Sequence, residues 1–234
     1  MLLALDTSTR RIGVAIGDAN GMHAALELGG PCDDRPPRHA EEVVPAIAYL
    51  AEQCDAKLSQ LSAIAVAIGP GMFTGLRVGV TTAKVLAQAL RIPVIPIASL
   101  DLLAYPLRHA GALVVPVMDA RRHEVYYAMY QPVPGGIQRL GPYELGPIHD
   151  VTAELEARGT EALVCGDGGV RFREAFVDLD RVVLAGPGHT APSLAALVEL
   201  ASARYEREEF CAPADVLPLY LRRSDAEIAW DQRR

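Results

Sequence analysis

The residues best placed to do chemistry in this chain form one short stretch, Gly69-Pro70-Gly71-Met72-Phe73-Thr74-Gly75-Leu76-Arg77. Glycines that lead into a helical run leave backbone N–H groups free at the helix N-terminus, where an anion is stabilised. The stretch is neither of the two common phosphate loops. A dinucleotide fingerprint needs glycine at its sixth position, here Thr74, and a P-loop ends in Gly-Lys-Ser/Thr, whereas Leu76 and Arg77 follow Gly75. The histidines offer no metal site. His39 is followed one turn later by Val43 and Val44, and His23, His109, His123, His149 and His189 stand singly; one histidine without a paired carboxylate does not hold a catalytic metal. Ser8 and Ser99 have no His or Asp neighbours, and there is no His-Glu-x-x-His helix, so a peptidase ranks low.

The elements that must position the glycine stretch are legible on both sides of it. Ile64 to Ile68 is an apolar run bounded by Gly-Pro-Gly, which reads as a strand buried on both faces. A helix follows from Leu76 to Leu90, stopped by Arg91 and Pro93. Along it Gly71, Gly75, Gly79, Ala83 and Ala87 recur every four residues and lay a smooth stripe on one face. Gly79 in a helix interior costs about 1 kcal/mol relative to alanine, which close approach of another backbone would offset. That backbone belongs either to the chain's own sheet or to a partner's helix; the residues alone leave both open. An earlier helix, 38–54, carries apolar residues at Ala40, Val43, Val44, Ile47, Leu50, Ala51 and Cys54, with Pro45 predicting a kink or a broken first turn.

Bulk properties narrow the class. The chain has 50% hydrophobic residues, yet no apolar run approaches the ~20 residues of a membrane span. That surplus points to buried partner surface, and the cytoplasm is the expected compartment. A net charge of −7 argues against unaided grip on nucleic acid, where phosphate neutralisation dominates. Arg121-Arg122 and Arg222-Arg223 are small basic spots. Cys32, Cys54, Cys165 and Cys211 are far apart with no Cys-x-x-Cys pair, and read as reduced thiols.

In order, the chain reads as strand 2–5, polar turn, strand 12–16, an Asn20-Gly21 hairpin and strand 22–28, then a 29–37 loop, helix 38–54, the buried strand, helix 76–90 and strand 92–97. Ser99 is expected to cap a helix reaching about Arg108. The layout then returns: Asp6 ends a strand six residues before Ile12, and Asp119 ends one six residues before Val125. Strand-then-glycine recurs at Ala162 to Gly169, then a strand at 181–185 and a helix at about 192–207. Two related α/β halves follow, each a mixed sheet flanked by helices, with a first subdomain over 1–100 and a smaller second over 101–234 onto whose partner the last helix packs back. The final 25 or so residues read as irregular apart from Pro218-Leu219-Tyr220-Leu221-Arg222.

Taken with His39-Ala40-Glu41, Met118-Asp119-Ala120-Arg121-Arg122 and the Glu124-Val125-Tyr126 strand start, these motifs resemble the bacterial TsaB (YeaZ) family over essentially the whole chain. The resemblance implies two duplicated actin-like (ASKHA, ribonuclease H-like) subdomains and kinship with the TsaD (Gcp, glycoprotease-like) proteins. It implies a role in threonylcarbamoyl modification of tRNA adenosine next to the anticodon, without catalytic or metal residues of its own. The implied partners are a TsaD-type protein, a TsaE-type ATPase and tRNA held through the complex, with a homodimer when the partner is absent. The docking residues expected are His39, Val43, Ile47, Leu76, Gly79, Val80, Ala83, Lys84 and Ala87. The superfamily also implies nucleotide: Asp6, Thr7, Ser8, Gly69, Gly71, Thr74 and Gly75 are the candidate phosphate cradle, with Asp119 and Gly166 to Gly169 opposite, and ATP or ADP with magnesium at the complex interface is the cofactor left open. The simpler reading of Asp6 and Asp119 is that each closes its own turn by a side chain to backbone hydrogen bond. An ATPase or small-molecule kinase is the competing function.

Overall fold

The computed structural model describes residues 1–30 and 37–222; Cys32, most of the 29–37 loop and everything from Arg223 on lie outside the described residues. The first sheet contains β1 (Leu2–Asp6), β2 (Ile12–Asp18), β3 (Gly21–Leu28), β4 (Ala63–Gly69) and β5 (Val94–Ala98), in the order β3-β2-β1-β4-β5. The hairpin pairings of β1, β2 and β3 are antiparallel, and β1, β4 and β5 are parallel. The second sheet is built from β6 (Leu113–Asp119), β7 (Glu124–Tyr127), β8 (Tyr130–Val133), β9 (Gly136–Arg139), β10 (Glu144–Pro147), β11 (Ala162–Cys165) and β12 (Val182–Leu184). Its main path is β10-β7-β6-β11-β12, with β8 and β9 hung from β6 as an extra hairpin. Both paths carry the same sequence of antiparallel then parallel pairings. The duplication is therefore in the hydrogen bonding itself, and Asp6 and Asp119 end equivalent central strands.

Strand alternation decides which helix lies on which face. In β4 the larger Ile64 and Val66 join Leu3 and Leu5 of β1 under α1 (His39–Gln53) and α2 (Phe73–Leu90). The opposite face of the same strands is Ala63, Ala65 and Ala67 with Leu2 and Ala4, and these small residues let α6 (Leu194–Glu206) lie close. Ser193 caps α6 by accepting the Ala196 N–H at 3.2 Å. The second sheet packs one face on α4 (Ile148–Arg158) and the other on α3 (Ser99–Ala104). Among the described residues no helix is long and apolar enough to cross a membrane.

Several local expectations change. Helix α2 begins at Phe73, so Thr74 and Gly75 are already helical, and it ends on Arg91 in the left-handed region (φ 57°). Helix α1 runs unbroken through Pro45, which sits on its exposed side. Ser99 does not cap: the N-cap is Ala98, Ser99 is the first helical residue, and its buried hydroxyl has no hydrogen-bond partner among the described residues. The glycines at 168–169, which had no element assigned, lie in a short helix, α5 (Asp167–Arg171). Strands β8 to β10 and helix α4 were not foreseen. Pro132, Pro134 and two glycines break any alternation in β8 and β9, and α4 buries only Val151 and Leu155 of its 11 residues.

Candidate functional site

The β1–β2 turn and the N-terminal turns of α2 are packed backbone to backbone. A methyl group at Gly71 would overlap the Ser8 carbonyl oxygen, and one at Gly75 the Thr7 carbonyl oxygen. Thr7 Oγ1 donates to the Gly75 carbonyl at 2.7 Å, and the Met72 N–H donates to the Ser8 carbonyl at 2.7 Å. The glycine stripe thus lies on the turn that leaves the chain's own central strand. One turn on, Gly79 faces the Thr7 hydroxyl. The same device recurs in the second half, where Gly166 and Gly168 rest on the carbonyl of Val117 at the end of β6.

This packing sets the chemistry of the acidic turn. Asp6 Oδ1 accepts the Ser8 N–H at 2.9 Å, which is the turn-closing role. Burial pushes its carboxyl up to about 6, against the opposing hydrogen bonds from Ser8 and with a smaller raising effect from Glu27. The folded chain therefore holds this proton more readily than the unfolded chain, so the group's stabilising share is full below its ordinary value near 3.8 and is lost as pH rises through about 6. Asp6→Asn, which keeps an acceptor and cannot ionise, is expected to match the parent near pH 4 and exceed it at pH 7 by on the order of 2–3 kcal/mol. Urea unfolding at both pH values measures it, and a gap that does not grow with pH means this carboxyl titrates normally.

Asp119 plays the matching part in the second half. Its Oδ1 accepts the Arg121 N–H at 2.9 Å, its Oδ2 pairs with Arg171, and its own N–H donates to Asp167 Oδ1 at 3.0 Å. Burial raises Asp167 to about 6. Asp6, Thr7 and Ser8, the expected magnesium and phosphate cradle, lie buried beneath the glycine turn and outside the lining of the cleft between the two halves; the Ser8 hydroxyl has no hydrogen-bond partner among the described residues.

The expected docking residues also fall inside the chain. His39, Val43, Ile47, Leu76, Gly79, Val80, Ala83 and Ala87 are all buried. His39 opens α1 with Nε2 2.9 Å from the Thr9 carbonyl, and burial holds its pKa below the usual value. Lys84 is half-buried, its Nζ donating to the carbonyls of Ala214 (3.0 Å) and Val216 (2.9 Å). The physical reason is periodicity: a smooth or apolar stripe marks the face that is covered, and here the chain covers it itself. The outer sides of these two adjoining helices instead expose Val44 (55%), Tyr49 (54%) and Val85 (59%).

The C-terminal segment, flagged as a motif without a role, proves to be a strap. It bridges Cys211 to the edge strand at Val94 and accepts from Lys84. It then donates the Leu219 N–H to the Ile68 carbonyl at 2.7 Å. Tyr220 stacks on Phe73 (ring centres 4.9 Å apart), and Arg77 lies 4.2 Å over Phe73 while its Nε donates to the Tyr220 hydroxyl at 3.2 Å. Arg222 crosses to the second half, bonding the Ala120 carbonyl at 2.7 Å and pairing with Glu124. Between strap, glycine turn and β6–β7 turn lies a cleft of about 410 Å³. The chain-distant pairs that build it carry no local signature.

Residues 36–157 match the family model described as TsaD: tRNA N6-adenosine threonylcarbamoyltransferase. The chain is 32% identical to the tRNA threonylcarbamoyladenosine biosynthesis protein TsaB of Bacillus subtilis, over 98% of this chain and 97% of that protein. It is 28% identical to the TsaB of Escherichia coli, over 98% and 96%. Among solved structures, YeaZ from Pseudomonas aeruginosa superposes with a TM-score of 0.75 at 28% identity, covering 94% of this chain and 99% of that one. A full-length match at this identity, on a duplicated sheet whose motifs meet at one cleft, places the chain in the TsaB (YeaZ) family.

Proposed function

We propose that this chain is the companion subunit of a TsaD-type transferase in threonylcarbamoyladenosine biosynthesis on tRNA. It binds the transferase through the outer sides of α1 and α2 and raises its turnover, while the transfer chemistry resides in the partner. The supporting observation is that three large apolar side chains, Val44, Tyr49 and Val85, stay exposed on two helices that pack against each other. The names of the relatives supply the pathway. A TsaE-type ATPase and tRNA join through the complex, a second copy occupies the same face when the transferase is absent, and the assembly works in the cytoplasm.

Val44→Glu/Val85→Glu tests this. Both positions are exposed, so stability should stay within about 0.5 kcal/mol of the parent, whereas two desolvated charges at an interface centre should weaken the complex by 30-fold or more, ~2 kcal/mol. In a reconstitution with the transferase, a threonylcarbamoyl-adenylate source and tRNA, modification should fall to the level seen without this chain. Undiminished co-elution and activation by the variant would move the docking surface elsewhere. Modification by this chain alone would end the companion reading.

A further inference from the structure

The β6–β7 turn is tighter than its counterpart in the first half. Asp119 pairs with Val125, whereas Asp6 pairs one residue further on, with Gly13. Inside the tighter turn Arg121, Arg122 and His123 all have left-handed backbones (φ 64°, 52° and 63°). None of residues 7–11 in the β1–β2 turn is left-handed. In that conformation a Cβ crowds the following carbonyl oxygen, so a run of three without glycine persists only where its surroundings impose it. Burial of the three side chains does not impose it, since all are exposed. Bonds at the two ends of the turn do. The Ala120 N–H donates to the Glu124 carbonyl and the Glu124 N–H to the Arg121 carbonyl, each at 2.9 Å. Asp119, paired with Arg171, accepts the Arg121 N–H at 2.9 Å. Arg222 then spans both ends from outside: it donates to the Ala120 carbonyl at 2.7 Å and pairs with the Glu124 carboxylate. Its two grips flank the three left-handed residues.

We propose that the strap is a latch: Arg222 holds the β6–β7 turn in its strained form, and its release lets the turn relax toward right-handed backbone. The turn is the two-state element, and the strap ties it to the first half. Two residues before Arg222, Tyr220 is stacked on Phe73 and its hydroxyl accepts from Arg77, both in the first two turns of α2. Arg77 is exposed. A shift of this end of α2 therefore moves Tyr220, and through two residues of strap it moves the clamp on the second half. The route is a chain of direct contacts ending on a strained element. It does not rest on the companion role.

Hydrogen exchange of the full chain, read by mass spectrometry on peptides covering 119–126, tests the latch. Arg222→Ala should speed exchange there by about tenfold or more, while peptides from β1 and β4 keep the parent's rates. Arg222→Lys keeps the charge but loses the fork, and should fall between the two. Tyr220→Ala, which cuts the tie to α2, should speed the turn by roughly threefold or more. Arg121→Asn/His123→Gly puts residues suited to left-handed backbone at two of the three positions. Added to Arg222→Ala, this pair should bring exchange back to within about threefold of the parent, a rescue that a merely structural contact would not show. Exchange unchanged by Arg222→Ala, or not slowed by the Asn/Gly pair, overturns the latch. So does acceleration spread evenly over β1, β4 and the turn in both Arg222→Ala and Arg222→Lys, which would make Arg222 a general stabiliser. Val44→Glu/Val85→Glu lies off the strap and the turn and should leave these rates alone, so the docking surface and the latch fail separately.

Discussion

Gly75→Ala is expected to destabilise the fold by more than about 3 kcal/mol, the upper end of ordinary overpacking. The added methyl meets the Thr7 carbonyl oxygen and the His39 ring, so relief requires two backbones to part. Parting them stretches the Thr7 hydroxyl bond to the Gly75 carbonyl and the Met72 bond to Ser8. Gly79→Ala should cost less, because its methyl meets only the Thr7 side chain and because alanine recovers about 1 kcal/mol of helix propensity. The pair can be separated by a cycle. In a Thr7→Ala background the obstructing hydroxyl is gone, so Gly79→Ala should turn neutral or stabilising while Gly75→Ala stays severe. Urea midpoints for the parent and the five variants, Thr7→Ala alone included, decide it. Equal costs at 75 and 79, or a Gly79 cost unaffected by Thr7→Ala, would show that the stripe does not rest on this turn.

Asp101→Ala should lower the melting temperature by about 5–15 °C, from a loss of roughly 2–4 kcal/mol. Asp101, in the first turn of α3, accepts the Tyr130 hydroxyl at 2.6 Å and the Tyr143 hydroxyl at 3.0 Å on each oxygen. Tyr130 is 2% exposed, and burial together with the Asp101 charge raises the pKa of both phenols. Removing the acceptor strands two hydroxyls at the junction between the halves, where water cannot replace it for Tyr130. Asp101→Asn retains one carbonyl and should lose about half as much. A melting temperature unchanged by Asp101→Ala would mean the phenols find other acceptors.

The duplication could be read from the chain because it rests on short-range facts. Apolar runs of strand length, the Asn20-Gly21 turn and the equal spacing from Asp6 to Ile12 and from Asp119 to Val125 each follow from neighbouring residues. The same holds for the turn-closing role of Asp6, whose partner is two residues away. Helix α4 and the β8–β10 strands escaped because little of them is buried, and a half-exposed element writes no clear period into its sequence.

What the sequence determined by itself is thus the well-buried elements, their repeat and their kinship. What only the tertiary structure decided is the direction in which the marked residues face. The glycine stripe is equally smooth whether its neighbour is Thr7 of the same chain or a foreign helix, and only the packed sheet shows that Thr7 is there. Likewise the strap joins Leu219 to Ile68 across more than half of the chain, and Arg222 to Glu124 in the other half. Local pattern records which residues avoid water, and the folded core alone records what they avoid it against.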